Sequence, residues 1–311
     1  MGNEHLQRAM KNKNDEFYTL YEDVQKGLEP MMKLLEGKKI LLPCDDEKSE
    51  FYHFFQDKVK DGWLDRGSKL PQVWATHYAP PPCLHSYKLY VDGTFKGVWG
   101  SPMFLKGNGD FFSEEVQRFV EQSDVIITNP PFSREAEMIK LLLDKGKDFI
   151  LIGTESLLTH RILFPFVKEG KIHAYGSVKK FKKPSDDYQT FGNCCWITSF
   201  TPCATVKFVP TKKYEEVKDL MKPYENYAAV NVDKLANVPM DYDGVMGVPV
   251  TYLKKRNDEM FEILGFGSAH SPASGLQYNV TYTPLKIDHG GNPVIDGRLT
   301  YVRIFIKNIT I

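Results

Sequence analysis

The stretch Asp124-Val125-Ile126-Ile127-Thr128-Asn129-Pro130-Pro131-Phe132 decides the fold. Val125 to Thr128 reads as a buried strand that stops abruptly in a rigid turn. The two prolines fix φ, offer no N–H and bias the residues before them toward extended backbone, so the strand cannot run on. An Asn amide, a backbone carbonyl and an aromatic ring are thereby gathered at the carboxyl end of a strand, where open α/β sheets place their ligands. Read as loop punctuation, the same residues are only a turn.

Working outward, strand and helix patterns alternate. Ile40 to Leu42 is an apolar run suited to the first strand of a parallel sheet. It ends at Cys44-Asp45-Asp46, and a helix with Phe51, Phe54 and Phe55 on one face follows. Gln72 to Tyr78 is a second strand, ended by Pro80 to Pro82. In related α/β folds the residue at the end of the second strand meets a ligand's ribose, which makes Thr76 and Tyr78 candidates, without a carboxylate there, while His77 reads as an ordinary loop histidine. Leu89 to Gly100 alternates around Asp92-Gly93 as a β-hairpin does. Ser113, Glu114 and Glu115 open a helix to Glu121. Beyond the double proline, Ser133 begins a helix through about Lys145 and Asp148 to Gly153 is another buried strand. That strand runs into Glu155, a candidate for lining a pocket. Leu157 to Lys168 reads as a helix interrupted by Pro165, and Gly192 to Phe200 as a strand with a buried Trp196. Near the start, Asn14 or Asp15 could cap a helix toward Leu28, with Tyr21, Val24 and Leu28 on one face. The alternation predicts an α/β, Rossmann-like sheet with helices on both faces.

Composition narrows the class. A chain of 311 residues with 42% hydrophobic residues can bury a substantial core. We expect a catalytic unit over 1–204 and a second unit over 205–311, where turn-rich texture takes over. Forty Lys and Arg balance forty Asp and Glu, so any basic surface must be local. No run reaches the ~18 apolar residues of a membrane helix. The polar N-terminus suggests no signal peptide, and Leu6 stands where a myristoylation signal wants Ser or Thr. Five cysteines without a Cys-x-x-Cys pair argue for reduced thiols and no metal site. A cytoplasmic monomer is expected.

Asn-Pro-Pro-Phe resembles the catalytic motif of amino-group methyltransferases, which use S-adenosylmethionine. The resemblance implies that the Asn129 oxygen and the Pro130 carbonyl accept hydrogen bonds from a target amine. It also implies that Phe132, fixed by Pro131, stacks on the target ring. The chemistry needs such groups. An adenine amine is a poor nucleophile because its lone pair is conjugated into the ring, and two aimed acceptors favour a pyramidal nitrogen.

Further motifs resemble one such family, the EcoRI-like adenine-specific DNA methyltransferases. Asn14-Asp15-Glu16-Phe17-Tyr18-Thr19 is similar to its N-terminal cofactor motif, implying that Asn14, Glu16, Phe17, Tyr18 and Thr19 fold over the methionine end of the cofactor. Core packing would be the alternative account of Phe17, Tyr18 and Tyr21. The chain lacks the Gly-x-Gly that most methyltransferases carry after the first strand. Cys44-Asp45-Asp46 with Ser49 and an aromatic resembles what the EcoRI-like family uses instead; a turn and helix cap would be the alternative for the Asp pair. Gly109-Asp110-Phe111 resembles the motif in which Asp110 accepts from the cofactor adenine amine and Phe111 packs on its ring. Asn129 and Thr76 complete the implied cofactor set. Gly192-Asn193-Cys194-Cys195-Trp196 looks like the family's last hairpin, with cysteines where Thr-Arg is usual. Asn231-Val232-Asp233, Asp241 to Pro249 and the closing strand at Arg303 are also similar.

The family implies a DNA partner. Lys179, Lys180, Lys182 and Lys183 around Phe181 could contact phosphates, or form a solvated basic loop. Base reading is expected from the polar loops of residues 170–311, with the last 45 residues or so folding partly back on the catalytic domain. Tyr301 to Lys307 alternates as a half-buried strand does. The expected activity is sequence-specific methylation of an adenine flipped out of duplex DNA, in a restriction–modification or phage setting. Two alternatives are a methyltransferase acting on another planar amine, such as a protein glutamine, and a catalytically silent DNA-binding module.

Overall fold

The structure is a computed structural model that describes residues 17–45, 47–60, 72–79, 87–91, 103–183, 185, 187–203, 206–269 and 279–311. Asn14, Glu16, Asp46 and the Asp92-Gly93 turn lie outside the described residues. The chain folds as two compact units, Met1–Thr154 with Ala174–Ala204, and Glu155–His173 with Thr205–Ile311.

The first unit contains β1 (Tyr18–Thr19), α1 (Tyr21–Leu28), β2 (Lys39–Leu42), α2 (Glu50–Lys60), β3 (Gln72–Thr76), β4 (Tyr87–Val91), β5 (Met103–Phe104), α3 (Glu114–Gln122), β6 (Val125–Thr128), α4 (Glu135–Asp144), β7 (Asp148–Thr154), β8 (His173–Lys182) and β9 (Tyr188–Thr198). Its nine-stranded sheet runs β1-β8-β9-β7-β6-β2-β3-β4-β5. Strands β7, β6, β2 and β3 are parallel, and antiparallel partners flank them on both sides. The chain winds outward from β2 to β3, then returns to place β6 on the other side of β2. The β2–β6 pair is therefore the topological switch point, the crevice where such sheets bind ligands.

All of Val125 to Thr128 is buried, as expected for a strand covered on both faces. Phe51, Phe54 and Phe55 of α2 pack into the same core as Ile40, Leu42, Val125 and Ile127. Helix α1 reaches that core through Gly27, where a Cβ would lie 2.0 Å from the Trp196 ring. Only glycine allows this approach, and Tyr175 donates to the Gly27 carbonyl at 3.0 Å beside it.

Several local readings change. The first helix starts at Tyr21, with Leu20 as its cap, because Tyr18 and Thr19 pair with Lys182 and Phe181 and the sheet takes their backbone. The segment holding Lys179, Lys180 and Lys182 is a strand and not a loop. Pro165 sits in the first turn of α5 (Phe164–Lys168), where its missing N–H costs nothing, so it starts a helix instead of interrupting one. Tyr87 and Lys88 pair antiparallel with Phe104 and Met103, while most of the expected hairpin over Leu89 to Gly100 lies outside the described residues.

The second unit holds a five-stranded sheet in the order β10 (Lys222–Pro223), β11 (Val230–Asn231), β12 (Met246–Pro249), β16 (Arg303–Asn308), β13 (Phe261–Gly267). A small hairpin pairs β14 (Val294–Ile295) with β15 (Arg298–Leu299). The closing strand is not half-buried: β16 lies between two neighbours, and five of its six residues are buried. Its Arg303 donates to Asn231 at 3.0 Å and to Asp233 at 2.9 Å, so the two similar motifs at 231–233 and 303 are one hydrogen-bonded cluster. Among the described residues no helix is long and apolar enough to cross a membrane.

Candidate active site

A cavity of about 530 Å³ opens at the carboxyl ends of β2 and β6. Strand β6 delivers Asn129 to Phe132 to one wall, and β2 delivers Cys44 and Asp45 to another. The edge strand β1 adds Phe17 to Thr19, and the end of β8 adds Lys182 and Lys183.

One carboxylate ties the two central strands together. Asp45 is 9% exposed and accepts from Ser49 Oγ at 2.6 Å and from Thr128 Oγ1 at 2.5 Å. The Thr128 hydroxyl also lies 3.1 Å from the Pro43 carbonyl. The residue just before Asn129 is thus fastened to the loop leaving β2. Cys44 adopts φ +62°, the left-handed conformation that usually calls for glycine. Its N–H donates to Thr76 Oγ1 at 3.1 Å, which holds that turn closed against β3. The tight turn that a Gly-x-Gly would supply is made here by a strained cysteine.

Asn129 donates its amide N–H to the Phe17 carbonyl at 2.5 Å. Its Oδ1 is buried with no hydrogen-bond partner among the described residues, and so is Thr19 Oγ1. Both residues line the cavity. An unpaired buried acceptor costs about 1–3 kcal/mol, and such a cost persists where a ligand later removes it. Phe132 is 2% exposed. Phe17 stacks on it at 5.6 Å and 27°, while Phe181 and Phe191 meet it edge-on at 6.1 and 5.4 Å. The four rings form one aromatic cluster, joined to Asn129 through the Phe17 carbonyl.

These features are an Asn acceptor and an aromatic ring on a double-proline turn, at the switch point of a parallel sheet. The family model for the adenine-specific methyltransferase EcoRI matches residues 5–309 of this chain. The chain belongs to the EcoRI adenine-specific methyltransferase family. It is similar to Type II methyltransferase M.EcoRI of Escherichia coli, 30% identical over 335 residues that cover 98% of this chain and 97% of the relative. It is also similar to Type II methyltransferase M.MpnI of Mycoplasma pneumoniae, 30% identical over 97% of this chain and 98% of the relative. Type II methyltransferase M.MgeORF184P of Mycoplasma genitalium is 29% identical over the same shares. No solved structure matches the chain.

Within this EcoRI-family fold, Phe17, Tyr18, Thr19, Cys44, Asp45, Ser49, Asn129, Pro130, Pro131 and Phe132 come together around the cavity. Thr76 does not line it; its hydroxyl is spent on the Cys44 N–H. Asp110 and Phe111 also stand outside the lining. Asp110 accepts from the Phe112 N–H at 2.7 Å and pairs with Arg134 at 3.6 Å, and the Phe111 ring is buried. Glu155 belongs to the second unit, where it pairs with Lys254. The basic segment divides by position along the chain. Lys179 and Lys180 are exposed, with Lys180 3.9 Å over the Tyr188 ring, whereas Lys182 and Lys183 line the cavity.

The sequence reading missed several residues of this methyltransferase cavity. Lys48, Glu50 and His77 line it. For His77 a signal was available: it follows the last residue of β3, and neighbouring parallel strands end side by side. Arg134 was also missed. Its guanidinium lies 3.5 Å over the Phe112 ring, and its main-chain N–H donates to the Pro131 carbonyl at 2.9 Å, which joins the Asp110 loop to the double-proline turn. Glu135, in the first turn of α4, is buried and accepts from Thr154 Oγ1 at 2.6 Å and Thr154 N at 3.2 Å. Burial pushes its carboxyl up to about 7, against the pull of those two donors. Among the described residues, no three potential metal ligands gather as a site.

Proposed function

We propose that this chain transfers the methyl group of S-adenosylmethionine to the exocyclic amine of an adenine flipped out of duplex DNA at a specific sequence. The observation that carries the reading is the buried Asn129 Oδ1 at the switch-point cavity, without a partner among the described residues. An exocyclic amine has N–H groups to satisfy such an acceptor, and the backbone carbonyl of Pro130 stands next to it in the chain for the second. Both acceptors favour the pyramidal nitrogen that can attack.

The cavity suits the cofactor. Its volume of about 530 Å³ is in the range of small-molecule sites. The left-handed Cys44 turn lets a ligand approach the backbone, and Thr19 Oγ1 offers a second unsatisfied polar atom. Phe17, Tyr18 and Thr19 would hold the methionine end, with Cys44, Asp45 and Ser49 beneath. Asn14, Glu16 and Asp46 complete the proposed set; Thr76 would act through the Cys44 turn, and Asp110 and Phe111, outside the lining, would meet the adenine end only if the cavity extends toward them on binding. When bound, S-adenosylmethionine supplies an electrophilic methyl on a sulfonium, so the protein needs neither a nucleophile nor a strong base.

The remaining work is done by the protein's own groups. Extruding the base costs a few kcal/mol. Stacking on Phe132 would return roughly 1–3 kcal/mol, once the Phe17 ring turns off that face. Lys182 and Lys183 at the cavity, with Lys179 and Lys180 along the same strand, would meet phosphates, and the second unit would read base edges.

The test is methyl transfer from labelled S-adenosylmethionine to unmethylated duplex DNA, with methyladenine and methylcytosine resolved. Wild type should yield methyladenine. Asn129→Ala should lose at least ~100-fold in kcat, by analogy with removing one preorganised hydrogen-bonding group, while still binding cofactor. Unchanged turnover in that variant would sink the mechanism.

A further inference from the structure

We infer that the main-chain carbonyl of Phe17 is the positioning group that sets the catalytic amide of Asn129. The inference rests on the proposed role of Asn129 and adds to it the element that makes Asn129 competent. An Asn side chain presents an acceptor on one side and a donor on the other, and only hydrogen bonding fixes which way it faces. A carbonyl can only accept. With the Phe17 oxygen 2.5 Å from Nδ2, the amide has one stable orientation, and Oδ1 is turned away from that bond. In that orientation Oδ1 is buried and has no partner among the described residues. A flipped amide would set two oxygens face to face and offer the amine a donor in place of an acceptor.

The orienting carbonyl is not local. It lies 112 residues away in the chain and is held by the pairing of Tyr18 with Lys182 and Thr19 with Phe181. The Phe17 ring packs against Phe132, Phe181 and Phe191, while the strand pairing that follows it holds the carbonyl. The main chain and the ring have separable tasks. The ring can rotate off Phe132 to admit a base while the carbonyl keeps its bond to Asn129. The segment that closes over the cofactor would thereby also arm the acceptor for the substrate.

The decisive experiment compares kcat–pH profiles. In Asn129→Asp the ionised carboxylate has no proton for the Phe17 carbonyl and is repelled by it. The protonated acid donates to that carbonyl and leaves its other oxygen where Oδ1 stood. The variant's kcat, relative to wild type at each pH, should therefore rise at least tenfold from pH 8 to pH 5.5. The charged groups lining the same cavity are Asp45, Lys48, Glu50, Lys182 and Lys183, with His77. They are common to both proteins, so the wild-type profile corrects for them. Phe17→Ala/Asn129→Asp keeps the main chain and should retain the acid recovery. Phe17→Gly/Asn129→Asp loosens the main chain and should lose it. Phe17→Gly alone should lower kcat at least tenfold, with affinity for duplex DNA within twofold of wild type. A flat profile for Asn129→Asp, or equal acid recovery in the Phe17→Gly background, overturns the inference. Full turnover by Asn129→Ala would instead remove the reading it rests on, so the two failures are distinguishable.

Discussion

Thr128→Val removes one hydroxyl from the clamp between β2 and β6 and keeps the shape of the side chain. In the native protein that hydroxyl donates to Asp45 Oδ2 at 2.5 Å, with the Pro43 carbonyl as its second acceptor at 3.1 Å. Both Thr128 and Asp45 are buried, so water cannot replace the lost donor. A hydrogen bond to a charged group is worth about 1.5–3 kcal/mol net. Asp45 keeps Ser49 as a donor at 2.6 Å, which limits the damage. The expected loss is therefore roughly 2–3 kcal/mol of stability in the first unit. Trp74 and Trp196 belong to that unit, so tryptophan fluorescence in a urea titration follows its unfolding. The midpoint should fall with an unchanged slope. Asp45→Asn should also destabilise, and the double variant should lose less than the two single losses together, with a coupling of at least about 1 kcal/mol. Strict additivity, or a Thr128→Val midpoint equal to wild type, would refute the clamp.

Other outcomes follow from the same region. Glu135 has its folded pKa raised to about 7, so its neutral form is the stabilising one. That contribution is complete below the ordinary value of 4.5 and is lost as pH rises through about 7, a difference of roughly 3 kcal/mol. Glu135→Gln stays neutral and should be more stable than wild type at pH 8, with a flatter stability profile between pH 4.5 and 7; parallel urea profiles would contradict this. Cys44 at φ +62° should tolerate Gly with a stability change within about 1 kcal/mol, because relieved strain offsets added chain entropy. A β-branched Val there should cost more than about 2 kcal/mol, and a urea titration in which Val and Gly behave alike would remove the argument from backbone strain.

Much of the fold was written in local patterns. Short apolar runs at Ile40 and Val125, closed by turn residues and followed by amphipathic helices, determine a parallel α/β sheet whatever the rest of the chain does. The double proline determines where β6 must end, and so where Asn129 must stand. The sequence also carried the family, because its motifs keep one order along the chain.

What only the tertiary structure decided is which chain ends meet. Strand order makes β2 and β6 neighbours and so brings Asp45 to Thr128, a pairing no local window contains. The same long-range order sets Phe17 against Asn129 and brings Lys182 and Lys183 to the cavity while Lys179 and Lys180 stay exposed. It spends Thr76 on the Cys44 turn, and it converts the alternating Arg303 strand into a central one, buried on both faces. Periodicity records the environment of a residue's own element. The partner across the sheet is fixed by burial and by backbone groups that must all be paired, and those constraints act only when the whole chain is folded.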